Sequence, residues 1–421
     1  MMDSNAPTQA ADDVRSGQGS MSASVGAIEA SGYPVGVKQA LKLATLLEVG
    51  SLDVTMPDGR VFKFPGTEPG PHAEMSVRDF AFAAKMARGD VGVAESYLAG
   101  DWDSPNLARF LELFCANQHV LARLLEGRPI LRFVQMIYHW MHSNTKRGAK
   151  KNIHAHYDLG NAFYSQWLDP SMTYSSGLDF GRDNDLKAAQ ERKNAALVRA
   201  LGIDASHHVL EIGCGWGGFA EYVAGTVGAR VTGLTISRAQ LDFAQKRIEA
   251  AGLADRVELK LLDYRDERGA YDRIASIEMF EAVGEAYWPT YFDKLQACLK
   301  PNGRAGVQVI TIREDIFPRY RREMDFIRRY IFPGGMLPTV TILEQLAERH
   351  GLSLDGARAF GQDYALTLAS WRHRFQAAWG RIAPLGFDER FRKLWDYYLC
   401  YCEAGFRAGS IDVRQMVFAK A

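Results

Sequence analysis

The chain has 421 residues, 47% of them hydrophobic, with 50 basic and 50 acidic side chains. This length predicts two or more domains with a sizeable core. The balanced charge excludes a global attraction to nucleic acid or anionic lipid, so any such attraction must come from a local patch. Five scattered cysteines (Cys115, Cys214, Cys298, Cys400, Cys402) give neither a disulfide framework nor zinc-ligand spacing, which predicts a reduced, cytoplasmic chain. Cys400 and Cys402 fall in an aromatic helical run and read as core.

Residues 1–32 are rich in Ala, Ser, Gly and Asp. They lack the basic and apolar regions of a secretory signal and are expected to form a disordered tail. No segment reaches the roughly 18 uncharged apolar residues of a membrane span. Residues 33–144 read as a smaller α+β domain. Within it, residues 51–64 (SLDVTMPDGRVFKF) alternate around Asp58-Gly59, a hairpin signal. Residues 77–86 look helical. Residues 89–107 predict a turn, a short helix stopped at Gly100 and an N-cap at Ser104. Residues 108–140 carry long amphipathic helices. Residues 144–152 (NTKRGAKKN) read as a linker, whose Lys146, Arg147, Lys150 and Lys151 either meet lipid phosphates or are simply solvated.

From residue 145 to 421 the pattern becomes α/β. Residues 209–219 (VLEIGCGWGGF) are a short apolar strand running into a glycine-dense turn and then a helix. Such a unit brings backbone N–H groups and a helix N-terminus to a ligand, and Gly213, Gly215, Gly217 and Gly218 let the main chain come close. Helix is expected over 219–227, strand over 230–234, helix over 235–251 and strand over 257–262. A strand over 271–277 and a helix over 287–299 follow, closed by the Lys300-Pro301-Asn302-Gly303 turn, then a strand over 304–312. Strands alternating with helices predict a doubly wound, mostly parallel, Rossmann-like sheet. Its ligand is expected at the carboxyl ends of the strands, which selects residues 213–218, Thr235, Asp263, Tyr264, 278–281 and 310–312.

The loop resembles that of S-adenosylmethionine (SAM) methyltransferases, E-x-G-x-G-x-G. Nearly end to end, the chain resembles the cyclopropane-fatty-acyl-phospholipid synthase family. The matching runs are GDVGVAESYLAGDWD (89–103), HYDLGN (156–161), LDPSMTYS (168–175), LEIGCGWGG, LTISRAQ (234–240), LDYRD (262–266), SIEMFEAVG (276–284), YIFPGGMLP (330–338) and FGQDYALTLASW (360–371). The resemblance implies SAM-dependent alkylation of a cis double bond in a phospholipid acyl chain through a carbocation, which then loses a proton from the new methyl to close a cyclopropane. Aromatic faces suit such a cation. Tyr157, Tyr330 and Phe280 are the candidate substrate contacts among the aromatics near these motifs. The resemblance also implies that Tyr174 and Ser175 cover the cofactor. Gly213, Cys214 and Gly215 form its loop, opened by Glu211. Thr235 and Gln240 meet the ribose or methionine end, and Asp263 and Tyr264 the adenine side.

Ring-forming members of that family hold a bicarbonate ion as base, among a cysteine, a glutamate, a histidine, a tyrosine and a main-chain contact. Here the glutamate position is Glu281, the tyrosine position Tyr364 and the main-chain contact Ile312. The cysteine position is Ser176, the histidine position is Ile310, and Ala282 replaces a further histidine. Losing an imidazole donor weakens an anion site by ~1.5–3 kcal/mol if that bond is charge-assisted, so the bicarbonate, and ring closure with it, is placed in question. The alternative outcome is a methylene- or methyl-branched chain, with Glu278 and Gln308 as polar candidates for a rearranged site.

Residues 313–330 hold six arginines and four acids among apolar side chains, and are expected to lie on a bilayer surface and cover an acyl tunnel. The expected partner is a membrane phospholipid with unsaturated chains, at the inner face of the cytoplasmic membrane and without nucleic acid. The resemblance adds a homodimer, and a partner oxidase or reductase acting on the product is a further expectation. No metal is expected. A non-catalytic lipid-binding protein and a methyltransferase of a soluble small molecule are the competing readings.

Overall fold

The computed structural model describes residues 20–22, 24–120 and 159–420. The chain divides into two compact units, Met1–Leu124 and Leu125–Ala421.

The first unit is built on five strands: β1 (Ser20–Ser22), β2 (Val49–Thr55), β3 (Val61–Pro65), β4 (Glu68–Val77) and β5 (Trp102–Asp103), in the order β1-β3-β2-β4-β5. The hairpin forms as the alternation predicts. Its turn is made by Gly59 at φ 84°, and Leu52, Val54, Phe62 and Phe64 are buried on one face. The tail expectation is corrected at its C-terminal end. Ser20–Ser22 pairs in parallel with β3, and Ser24 caps a helix, Val25–Glu29, whose Ile28 is fully buried. One buried isoleucine and a cap suffice to order a segment whose composition looks disordered. The second correction is a cap. The pairing of Trp102–Asp103 with β4 carries the extended chain past Ser104, and Asn106 caps the Leu107–Ala116 helix by accepting from the Arg109 amide at 3.1 Å. The expected helices over 121–140, the linker over 144–152 and Tyr157 lie outside the described residues.

The second unit carries β6 (His208–Ile212), β7 (Arg230–Thr235), β8 (Val257–Leu261), β9 (Tyr271–Ile277), β10 (Leu299–Ile312), β11 (Leu352–Ala359) and β12 (Ile411–Lys420), in the order β11-β12-β10-β9-β6-β7-β8. Strands β6 to β10 run parallel, and β12 lies antiparallel to both β10 and β11. The chain winds outward from β6 through β7 to β8, then returns to β9 on the other side. The direction of winding thus reverses at the β6/β9 boundary, where a cleft opens at the carboxyl ends. Both faces are covered, so the strands are apolar on both sides: Leu210 and Ile212 pack with Phe280, Tyr291 and Phe292, whereas Val209 and Val231 pack with Leu197, Phe219 and Ile248. The helix after the glycine loop is α-helical only over Gly218–Tyr222 and continues as a π-turn over Val223–Val227. The 300–303 turn appears as a break in register between Leu299 and Arg304.

Candidate active site

The glycine loop hangs on the end of β7, because the amides of Gly213 and Cys214 both donate to the Leu234 carbonyl, at 3.0 and 2.8 Å. Gly213 sits at φ 83°, and a Cβ there would lie 2.8 Å from Met279 Cγ. Gly215, at φ 51°, differs: a Cβ there would meet nothing within 4 Å, so the crest of the loop faces open space. The Cys214 thiol is turned inward toward Gly233, and burial pushes its pKa up, so only its main chain serves the loop. Glu211 is buried, with Oε2 lacking a protein partner. Desolvation raises its pKa to about 8 against the pull of Lys193 and of the Ala220 amide.

Thr235 and Gln240 come together at the end of β7, hydroxyl to amide oxygen at 3.1 Å. Asp263, after β8, holds the Arg265 guanidinium through both oxygens. Tyr264 stacks edge-on against Tyr291 at 5.6 Å, its hydroxyl buried without a protein partner and its pKa raised by desolvation. Tyr174 lies among Tyr164, Trp167 and Trp371 with centroids 5.2–5.7 Å away, and shares a 2.7 Å hydroxyl contact with Tyr398. The open-faced glycine loop, with orphaned polar atoms at Glu211 and Tyr264, is compatible with the cofactor that the resemblance implies.

Sequence reasoning missed Lys193. Its ammonium is buried and donates to Ser175 Oγ at 3.0 Å, while Gln190 donates to the Ser175 carbonyl at 2.7 Å. Burial lowers the Lys193 pKa to about 8, against the opposing charges of Glu278, Glu211 and Asp169. A signal existed: Leu186, Ala189, Lys193 and Leu197 form one buried stripe at helical spacing, and a lysine in such a stripe needs a partner.

The acidic end is arranged otherwise than the resemblance implies. The Tyr364 hydroxyl does not meet Glu281. It donates to Glu278 Oε2 at 2.5 Å, while Glu278 Oε1 accepts from the Ser176 amide at 2.9 Å and the Gln308 side chain at 2.7 Å. Glu281 Oε1 takes the Ile310 amide at 2.5 Å, and its Oε2 is buried without a protein partner. Burial, then the charge of Glu278, pushes Glu281 up to about 8. The Ser176 hydroxyl is spent on the Gly177 carbonyl at 2.8 Å, and the Ile312 amide on the Pro338 carbonyl at 2.9 Å. Tyr364, the Ser176 hydroxyl and the Ile312 amide are thus committed to protein. With serine and isoleucine in place of the cysteine and histidine, only Glu281 Oε2 is left for the ion, so the residues present fit it poorly.

One further expectation is corrected. Phe280 is fully buried, stacked on Trp288 at 5.7 Å and edge-on to Tyr291 at 4.9 Å. It belongs to the core because the short turn after β9 directs it inward. Residues 313–330 contain a short helix, Phe317–Tyr320, and lead into a π-turn, Ile327–Ile331. Arg319 pairs with Glu323, Arg321 with Glu285 and Arg313 with Asp315. Arg328 is buried over the Tyr320 ring, donating to the Tyr320 and Glu323 carbonyls. Tyr330 packs on Phe326 at 5.6 Å. No helix among the described residues is long and apolar enough to cross a membrane.

Residues 144–416 match the family model described as mycolic acid cyclopropane synthetase. The chain is 38% identical over 349 residues to "Tuberculostearic acid methyltransferase UfaA1" of Mycobacterium tuberculosis, covering 80% of this chain and 81% of that one. It is 36% identical over 353 residues to "Cyclopropane-fatty-acyl-phospholipid synthase" of Escherichia coli, covering 80% and 85%. Among solved structures, mycolic acid cyclopropane synthase CmaA1 complexed with SAH and CTAB superposes with a TM-score of 0.61 at 29% identity, covering 64% of this chain and 98% of that one.

Proposed function

The chain belongs to the mycolic acid cyclopropane synthetase family and is a SAM-dependent methyltransferase; from that premise we propose that it adds one carbon to the cis double bond of an unsaturated acyl chain carried on a membrane phospholipid. SAM, when bound, supplies an electrophilic methyl on sulfonium. The observation that carries the reading is an aromatic and acidic wall beside the cofactor loop. Partly exposed Tyr174 is the face of this wall, backed by the buried rings of Tyr164, Trp167, Trp371 and Tyr398, and Glu278 and Tyr364 stand next to it, with Tyr364 edge-on to Trp371 at 6.0 Å.

A double bond that attacks a methyl leaves a carbocation. Ring faces stabilise a cation, and a wall of them keeps out the water that would trap it. Lys193 and Gln190 fix Ser175 from behind and so set the position of the segment carrying Tyr174. The reaction site is reached from the membrane surface, at the cytoplasmic face, without insertion of a helix.

A second reading concerns the product. Ser176, Ile310 and Ala282 stand where the resemblance puts a cysteine and two histidines, and the bicarbonate donors are committed elsewhere. The loss of the cysteine and both histidines favours a methylene- or methyl-branched chain over a bicarbonate-assisted cyclopropane. Both readings are tested by mass spectrometry of cis-monounsaturated phospholipid vesicles incubated with enzyme and SAM. A gain of about 14 Da in the acyl chain is expected for any one-carbon product, and its absence sinks the lipid reading. Mild hydrogenation then separates the products: a branched alkene takes up hydrogen and a cyclopropane resists.

A further inference from the structure

A carbocation formed in a dry cavity needs a base within reach. Of the carboxylates at the strand ends, Asp263 is held by Arg265 and Glu211 lies under the glycine loop, which leaves Glu278 and Glu281. They are held differently. Glu281 is tied to the Ile310 amide and packed against the turn whose own carbonyl accepts from Met336 at 2.9 Å. Glu278 immediately follows β9, at the carboxyl end where the cleft opens. It is one of only five non-glycine residues at positive φ among those described, at 50°. A glutamate is an unfavourable choice for that backbone, and such strain is retained where surrounding contacts over-determine it.

Those contacts are a relay of buried polar groups behind one carboxylate. Tyr364 and Ser176 hold one side. On the other, Gln308 donates to Glu278 and accepts from the Gln415 amide at 3.0 Å, and Gln415 also donates to the Lys193 carbonyl at 3.2 Å. The Glu278 amide itself donates to the Gln308 carbonyl at 2.8 Å. Ser176, Gln308, Gln415 and Tyr364 are all buried, whereas Glu278 keeps a partly exposed surface. Three donors to two oxygens fix the direction in which the remaining lone pairs point. The bond from Tyr364 is one that the resemblance assigns to a separate anion.

We infer that the Glu278 carboxylate is the base of the reaction, built into the chain in place of a bound ion. The inference rests on the carbocation reading above. After methyl transfer the cation sits on the neighbouring chain carbon. Either a C–H bond of the new methyl breaks and its electron pair closes the C–C bond of a ring, or a C–H bond next to the cationic carbon, reached directly or after a hydride shift, breaks and its electron pair becomes the C=C bond of a branched chain; in each case the proton forms an O–H bond on Glu278. The product is neutral, and Glu278 returns its proton to solvent as the product leaves. Burial holds the Glu278 carboxyl above the usual range, which strengthens it as an acceptor. Glu281 beside it is pushed up further, to about 8, by burial and then by the charge of Glu278.

The test compares the full chain with Glu278→Gln and Glu278→Gly on vesicles of cis-monounsaturated phosphatidylethanolamine, with acyl-chain mass as the readout. A lost general base lowers turnover by about 10²–10⁴-fold, while SAM affinity by calorimetry should stay within about threefold, since Glu278 lies beyond the loop residues assigned to SAM. Glu278→Gly leaves room for a small anion beside Tyr364 and the Ser176 amide, so added bicarbonate or formate should restore at least about tenfold of its turnover. Rescue is an effect that loss of a merely structural carboxylate would not show. Wild-type turnover should not change when bicarbonate is removed. Wild-type turnover that falls without bicarbonate overturns the inference, as does a Glu278→Gln variant that turns over at the wild-type rate. Wild-type transfer to the acyl chain is the control. Its absence counts against the lipid reading, whereas transfer persisting in Glu278→Gln counts against Glu278 alone.

Discussion

The phenolic hydroxyl of Tyr364 reaches Glu278 rather than Glu281, at 2.5 Å, although the two glutamates are only three residues apart. The difference follows from where each carboxylate leaves the chain. Glu278 is the first residue past β9, and Glu281 lies on the 3-10 turn Phe280–Ala282 beyond it. The Tyr364→Phe variant removes one charge-assisted bond, worth about 1.5–3 kcal/mol, and leaves Glu278 two donors. Turnover is expected to fall by roughly 10–100-fold with SAM affinity little changed. Unchanged turnover would separate Tyr364 from the chemistry.

The two loop glycines should fail differently. Gly213→Ala meets Met279 at 2.8 Å and sits at φ 83°, so both thermal stability and SAM affinity should drop. Gly215→Ala meets no protein atom within 4 Å and adds only the backbone cost of its φ, about 1–2 kcal/mol. Its methyl projects into the cofactor space. Calorimetry should therefore show a SAM affinity loss of at least about tenfold for Gly215→Ala, larger than its loss of stability implies. Equal affinities for Gly215→Ala and wild type would place the cofactor elsewhere.

Phe280→Ala distinguishes packing from substrate contact. A fully buried phenylalanine cut to alanine costs about 3–5 kcal/mol, so the denaturation midpoint should shift strongly. Phe280→Leu, which keeps most of the volume, should turn over with a near-normal lipid KM. A large KM change in the leucine variant without loss of stability would return Phe280 to the acyl-binding wall.

Two buried glutamates make stability depend on pH. The folded pKa of Glu211 and that of Glu281 are each raised to about 8 from an ordinary value of 4.5. The fold therefore holds a proton that the unfolded chain releases. Their favourable contribution is complete below 4.5 and is lost as pH rises toward 8. Lys193 acts in the opposite sense at higher pH, because burial lowers it to about 8 from 10.5. Glu211→Gln and Glu281→Gln should each flatten the decline of Tm between pH 4.5 and 8, measured by calorimetric scans. A decline as steep in both variants as in the wild type would mean that neither group is held neutral in the fold.

The sequence alone determined the parts of this protein that depend on local chemistry. The glycine loop, the β6 to β10 alternation and the Asp58-Gly59 hairpin are written in short-range pattern, because turn geometry and hydrophobic period are properties of neighbouring residues. The candidate cofactor residues after β6, β7 and β8 lie at strand ends for the same reason: a strand end locates them whatever else the chain does. What only the tertiary structure decided is which polar groups meet. Glu278, Gln308, Gln415, Ser176, Tyr364 and Lys193 come from six separate stretches of chain. Their hydrogen bonds span up to 222 residues, and no local signal carries such a pairing. The orientation of Phe280 into the core, and the pairing of Arg321 with Glu285, were likewise settled by the assembled fold. A side chain's role follows from what it touches, and here touching is a property of the assembled sheet.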